Sequence, residues 1–265
     1  MIEGAILQGV YRLKLVFIRH GDPDYERDSL TETGWKEAEL AAKRVQKMSE
    51  KGENIKTIYV SSLGRAKDTA SCSLKALGRE DAIVCEWLKE FPTTIFRPDA
   101  GGEKIIAWDW LPQDWTKNPV FYDADVWKKE KVMAEAGVDV EYERVCTEFD
   151  TVLKKHGYIR CDASEGYFYH AESPNNDTLL FFCHFGIECV LLSHLIHCSP
   201  MILWHNFCAV PSSVTTVITE ERRKGIASFR INQFGDISHL YAAGEEPSFA
   251  ARFCECYENE GERRD

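Results

Sequence analysis

Leu15-Val16-Phe17-Ile18-Arg19-His20-Gly21-Asp22 is the stretch around which the chain is organised. Val16, Phe17 and Ile18 are apolar, without alternation, as expected of a central strand covered on both faces. The run stops abruptly at an arginine and a histidine. In open α/β sheets ligands collect at the carboxyl ends of buried strands. Gly21 lets the backbone turn sharply and approach something bound. Arg19 and His20 are therefore expected at the end of the first core strand, handling a phosphoryl group.

Working outward, Thr31-Glu32-Thr33-Gly34 precedes an amphipathic stretch with Ala38, Ala41, Ala42, Val45 and Met48 on one face, closed by Gly52. Thr31 or Thr33 is a natural N-cap for that helix. Lys56 to Val60 reads as a strand ending at Ser61-Ser62. A second helix follows, with Ala66, Ala70, Leu74 and Leu77 on its face and Gly78 at its close. Arg65 falls in its first turn, where a cation is disfavoured unless an anion is bound there. Ile83 to Cys85 reads as a third strand. The first ninety residues thus spell β-α-β-α-β, the pattern of a mostly parallel sheet with helices on its faces.

From Phe91 to about Asp177 this regularity loosens. Phe96, Trp108, Trp110, Trp115, Phe121, Tyr122 and Trp127 are interleaved with Pro, Gly and Asp. Two helices are expected, over Ala124 to Ala136 and over Asp139 to His156, the second with Val145, Phe149, Val152 and Leu153 on one stripe. We expect a cap-like insertion at about 91–177, folded over the sheet within one domain spanning 1–265. Its aromatic residues are expected to form the insertion's own small core, and the substrate determinants are expected to lie in it.

The opening pattern then returns. Leu179-Leu180-Phe181-Phe182-Cys183 lands on His184, and Gly186 opens a helix carrying Val190, Leu191, Leu195 and Ile196 that Pro200 ends. Val214 to Thr219 and Ile226 to Ile231, joined by Glu220 to Gly225, read as a hairpin at an antiparallel edge.

Composition narrows the function. The 265 residues are 44% hydrophobic and 12% aromatic, enough for a substantial core, and the net charge is −11. That balance gives nucleic acid or an anionic membrane no basic face, so neither is an expected partner. Ten cysteines are scattered, and Met1 to Arg12 has neither a basic start nor a long apolar run. Reduced thiols and a cytoplasmic location are expected. The run from Leu179 to Phe185 is too short to span a bilayer. No motif sets an oligomeric state. The tail after Glu255 is charged and expected to fray.

Three strand-to-helix junctions therefore present Arg19 with His20, Arg65, and His184. Cations cluster stably around an anion, and arginine's planar fork matches phosphate bidentately. Arginines depress the pKa of a neighbouring histidine, keeping one imidazole neutral and nucleophilic. Glu90, in Leu88-Lys89-Glu90, is the candidate general acid at the same rim.

In order and context, these segments resemble the histidine phosphatase superfamily, the phosphoglycerate-mutase-like family. Arg19-His20-Gly21 is similar to its signature, and Leu30-Thr31-Glu32-Thr33-Gly34 to its helix start. Ser61-Ser62-Leu63-Gly64-Arg65-Ala66 with Thr69-Ala70 resembles its "SxxxRAxxTA" helix, and Cys183-His184-Phe185-Gly186 its second histidine. The resemblance implies a three-layer α/β/α sandwich. It implies His20 as the nucleophile that becomes a phosphohistidine, Arg19, Arg65 and His184 as phosphoryl-oxygen ligands, and Glu90 as the leaving-group acid. Glu86 competes with Glu90, which better matches the family's "L-x-E" placement.

Asp22-Pro23-Asp24-Tyr25 stands where mutases carry other residues, as in phosphatase-type members. A metal-independent phosphomonoesterase is thus expected, taking a small phosphorylated metabolite and releasing inorganic phosphate. The alternatives are a mutase-type phosphotransferase and a non-catalytic phosphate- or phosphopeptide-binding module.

No cofactor and no metal is expected. His194, His197, Cys198, His205 and Cys208 match no closed zinc pattern and are expected in the core or an interface. Cys254 and Cys256 are expected to be incidental. Arg97 and Ser212 are candidate substrate contacts, and His239 is expected to be structural.

Overall fold

β1 (Lys14–Arg19) lies in the middle of an eight-stranded sheet, buried from Leu15 to Arg19. The computed structural model describes residues 12–249. The expectations for the segment before Arg12, for Cys254 and Cys256 and for the tail after Glu255 lie outside those residues.

Alternate side chains of a strand point to opposite faces, and here both faces are apolar. Leu15 and Phe17 pack with Tyr59, Leu179 and Phe181 on one side. Val16 and Ile18 pack with Ile58, Val60, Leu180 and Phe182 on the other. The first face is covered by α5 (Val138–Lys155) and α6 (Phe185–Ile196), through Val145, Phe149, Val190 and Leu191. The second is covered by α1 (Glu32–Glu50) and α2 (Gly64–Leu77), through Val45 and Ala70. Burial on both sides explains the unbroken apolar runs.

The sheet order is β5-β4-β10-β1-β11-β12-β9-β8. β5 (Ile83–Cys85), β4 (Asn54–Ser61), β10 (Asp177–Cys183) and β1 run parallel. Beyond β1 every pairing is antiparallel, through β11 (Val214–Arg223), β12 (Ile226–Asp236), β9 (Tyr169–Ala171) and β8 (Tyr158–Arg160). This corrects the expectation of a mostly parallel sheet: the sheet is mixed. Strands joined by a tight turn must run antiparallel, because a parallel return needs a long crossover. The late hairpin is also not the edge, since β8 and β9 from the inserted segment extend the sheet past it.

That segment departs from the expected pattern in two further ways. The helix expected over Ala124 to Ala136 is broken into a 3-10 turn at Trp127–Lys129 and α4 (Lys131–Ala134). The Glu130 carboxylate caps the second piece by accepting from the Val132 amide at 2.8 Å. The buried Trp108, Trp110, Trp115, Phe121 and Trp127 share one cluster with the sheet, not a core of their own, while Phe96 and Tyr122 are exposed. The segment also holds a hairpin of β6 (Thr94–Phe96) and β7 (Lys104–Ile106), and α3 (Pro112–Trp115).

Pro200 opens α7 (Pro200–Asn206) rather than merely ending the helix before it, because proline is preorganised for the first helical position. A two-stranded pair, β2 (Pro23–Asp24) and β3 (Ser29–Leu30), bridges β1 to α1, and α8 (Ser238–Tyr241) follows β12. Among the described residues no helix is long and apolar enough to cross a membrane, and no disulfide joins the described cysteines.

Candidate active site

β4, β10 and β1 are adjacent and parallel, so their carboxyl ends open along one edge of the sheet. His20 follows β1 directly, and its amide donates to the Cys183 carbonyl at 3.1 Å. His184 follows β10, Ser61 ends β4, and Arg65 stands in the first turn of α2. The four residues expected to meet are brought together. The rings of His20 and His184 are 5.0 Å apart between centroids.

His20 is buried, and its Nδ1 lies 2.8 Å from the Gly21 carbonyl oxygen. A carbonyl only accepts, so Nδ1 carries the proton and Nε2 keeps its lone pair. Burial, then the charges of Arg19 and Arg65, hold its pKa well below the usual histidine range. The turn after it is clamped by Thr69, whose hydroxyl accepts from the Gly21 amide at 3.0 Å and donates to the Arg65 carbonyl at 2.8 Å.

Arg19 is buried, donating from Nη1 to the Ala209 carbonyl at 2.6 Å. Arg65 donates from Nη1 to Asp28 at 2.6 Å, and its Nε is buried without a hydrogen-bond partner. The anion expected at the α2 N-terminus is thus met in part by an internal carboxylate. His184 is fully buried, with Nε2 2.8 Å from the Ser61 hydroxyl and Nδ1 without a partner. Burial, followed by His20, Arg65 and Arg19, lowers its pKa well below the usual range. Unpartnered donors beside two guanidinium groups make a socket for an anion.

Glu90 reaches across to the start of α6. Its Oε1 accepts from the Ile187 amide at 2.9 Å and its Oε2 from the Gly186 amide at 3.2 Å. A Cβ on Gly186 would stand 2.6 Å from Glu90 Oε1 and 2.9 Å from the Trp108 ring, so only glycine fits. Burial raises the Glu90 pKa, against its own amide contacts and Arg19, which lower it. Glu86, by contrast, is exposed and pairs with Lys89.

Residues 15–120 match the Histidine phosphatase superfamily (branch 1). Solved structures agree at the level of the fold. A phosphoserine phosphatase mutant from Entamoeba histolytica, in complex with phosphoserine, is 18% identical with a TM-score of 0.51, covering 86% of this chain and 99% of its own. Mycobacterial hydrolase 2 is 21% identical with a TM-score of 0.53, covering 89% and 99%. A mycobacterial glucosyl-3-phosphoglycerate phosphatase, in complex with VO3, is 18% identical with a TM-score of 0.50, covering 85% and 99%. No curated protein matches the sequence.

The remaining candidates fall outside the socket. Arg97 is tied to Asp99 at 2.9 Å and to the Trp108 and Asp109 carbonyls at 2.6 and 2.5 Å, bracing the inserted segment. Ser212 lies behind His20: its amide donates to the His20 carbonyl at 2.9 Å and its hydroxyl sits 3.3 Å from His239 Nε2. His239 is buried, and burial brings its pKa down to about 4. His205 accepts from the Trp110 amide at 2.8 Å and donates to the Met201 carbonyl at 2.7 Å, stapling the insertion to α7. His194 pairs with Asp150. Among the described residues no group of three or more His, Cys, Asp or Glu is placed to hold a metal ion.

Three neighbours of the site were assigned no role from the sequence, although Ser61 opens the "SxxxRAxxTA" segment and Tyr25 ends the stretch after Gly21. Ser61 supports His184, and Asp28 holds Arg65. Tyr25 lays its ring 5.4 Å from the Arg65 guanidinium. A fourth, Glu188 in α6, is a buried carboxyl whose pKa burial lifts to about 7, against Thr215 and Arg19.

Proposed function

We propose that the chain is a phosphomonoester hydrolase that works through a phosphohistidine at His20. The observation that carries this reading is the Nδ1–H bond to the Gly21 carbonyl at 2.8 Å, which leaves the Nε2 lone pair for the substrate. Nε2 attacks phosphorus, the bond to the ester oxygen breaks, and Glu90 gives its proton to the departing alkoxide. Water then attacks the phosphohistidine, Glu90 takes back a proton, and inorganic phosphate leaves. Arg19, Arg65 and His184 hold the equatorial oxygens, so positioning and charge neutralisation are supplied without a metal ion.

The substrate class that fits is a small phosphorylated metabolite. Structures of similar fold include proteins named for phosphoserine and for glucosyl-3-phosphoglycerate. The segment at 91–177 serves as the cap that selects among such compounds, within one catalytic domain placed in the cytoplasm.

The test is a panel of phosphoserine, 3-phosphoglycerate and p-nitrophenyl phosphate given to the wild type and to His20→Ala. The wild type should turn over at least one and carry an acid-labile phosphoryl label, and the variant should do neither. Equal hydrolysis by both proteins would overturn the mechanism. Phosphoryl transfer to a second hydroxyl outpacing hydrolysis would make the chain a mutase instead.

A further inference from the structure

We propose that Asp28 is a positioning residue that presents Arg65 to the phosphoryl group. The inference rests on the hydrolase reading above. Asp28 stands in the turn between β2 and β3, in the left-handed region at φ 48°, where aspartate is tolerated better than most side chains. That turn aims its carboxylate at the start of α2. Oδ2 accepts from the Gly64 amide and Oδ1 from Arg65 Nη1, each at 2.6 Å. The backbones touch as well: a Cβ on Gly64 would come 1.9 Å from the Asp28 carbonyl oxygen.

α2 has no side-chain cap from its own Leu63, and the Asp28 carboxylate accepts from the Gly64 amide in its first turn instead. A guanidinium beside a helix N-terminus is repelled by the positive end of the dipole. The Asp28 carboxylate reverses that sign on one side and fixes one edge of the fork. Tyr25, from the same turn, lies over the guanidinium at 5.4 Å. Edge and face are therefore both held, and Nε is left buried without a hydrogen-bond partner. An arginine held this way meets the phosphoryl oxygen already oriented, which is where preorganised cations gain their effect.

The experiment measures kcat and KM for p-nitrophenyl phosphate, orthovanadate affinity by calorimetry, and melting temperature. The proteins are the wild type, Asp28→Asn, Asp28→Ala, Arg65→Ala and the double variant Asp28→Ala/Arg65→Ala. Asp28→Ala should lower kcat/KM and vanadate affinity by about tenfold to about a hundredfold. Asp28→Asn keeps an acceptor and the left-handed turn, and should fall between it and the wild type. In the Arg65→Ala background the Asp28 change should add less than about twofold, since coupled residues are non-additive.

A lowered melting temperature with kcat/KM and vanadate affinity unchanged would make Asp28 a helix cap only and overturn the proposal. Equal losses in both backgrounds would overturn it too. If Asp28→Ala does not fold, Asp28→Asn carries the same comparison. Arg65→Ala with unimpaired turnover and vanadate binding would instead sink the phosphoryl-site reading on which the proposal rests.

Discussion

A Cβ on Gly21 would stand 2.4 Å from the carbonyl oxygen of Gly34. The turn after His20 and the first turn of α1 therefore pack backbone against backbone, and one on Gly34 would likewise come 2.2 Å from the Asp22 carbonyl oxygen. Thr31 locks the junction by accepting from the Gly34 amide at 3.0 Å and donating to the Asp22 carboxylate at 2.6 Å. Two sequence motifs thirteen positions apart are one piece of machinery.

Gly34→Ala should displace the loop that carries His20. Forcing a methyl group into such a contact costs about 1–3 kcal/mol. The variant should show a lower urea midpoint and reduced kcat. Wild-type values for both would mean the loop can shift freely.

The pH dependence of kcat/KM should peak on the acid side of neutrality. His20 must be neutral to attack, and its depressed pKa moves the acid limb downward. Glu90 must be protonated to serve the leaving group, and its raised pKa keeps the proton into weakly acidic solution. Activity is then lost as pH rises through the Glu90 value. An optimum on the alkaline side would contradict these assignments.

Glu90→Gln should separate substrates by leaving group. Its amide oxygen can still accept from the Ile187 amide, and only the longer contact with the Gly186 amide is lost. Alkyl phosphates, whose alkoxide needs a proton, should lose about 10²–10⁴ in kcat. p-Nitrophenyl phosphate should lose far less. Equal losses on both would remove the acid role.

Glu188→Gln should stabilise the protein above neutrality. A carboxyl lifted from 4.5 to about 7 holds its proton in the folded state where the unfolded chain has released it. Stability from this group is therefore present at low pH and lost as pH rises between those values. Removing the ionisable group should add up to about 3 kcal/mol at alkaline pH and almost nothing near its unfolded pKa. Denaturant unfolding at two pH values tests this, and a gain that is the same at both would refute it.

Much of the site was legible because it is punctuated locally. β1 and β10 are apolar runs that stop at a cation or histidine, and α1 and α2 carry an N-cap threonine or closing glycine. Arg19, His20, Arg65 and His184 follow from adjacent parallel strands. The rest depended on contacts that local pattern does not encode. β8 and β9 are three-residue strands, too short to show a period, so the mixed sheet and the interior place of the late hairpin were missed. Pro200 punctuates equally well as a stop or a first turn. Asp28 looks like an ordinary turn residue until Arg65 is set beside it, and the motif that Ser61 opens does not say that its hydroxyl meets His184.

The central place of β1 bears on how the protein comes into being during synthesis. Its sheet neighbours among the described residues are β10 and β11, and Arg19 is held by a carbonyl 190 positions later in the chain. A growing polypeptide carries Arg19 and His20 long before their parallel partner strand, Asp177–Cys183, emerges. Translation must run past Cys183 and Ala209 before the histidine acquires its surroundings. Such long-range pairing is slow to form, so the nascent protein should remain chemically silent until these distant segments have met.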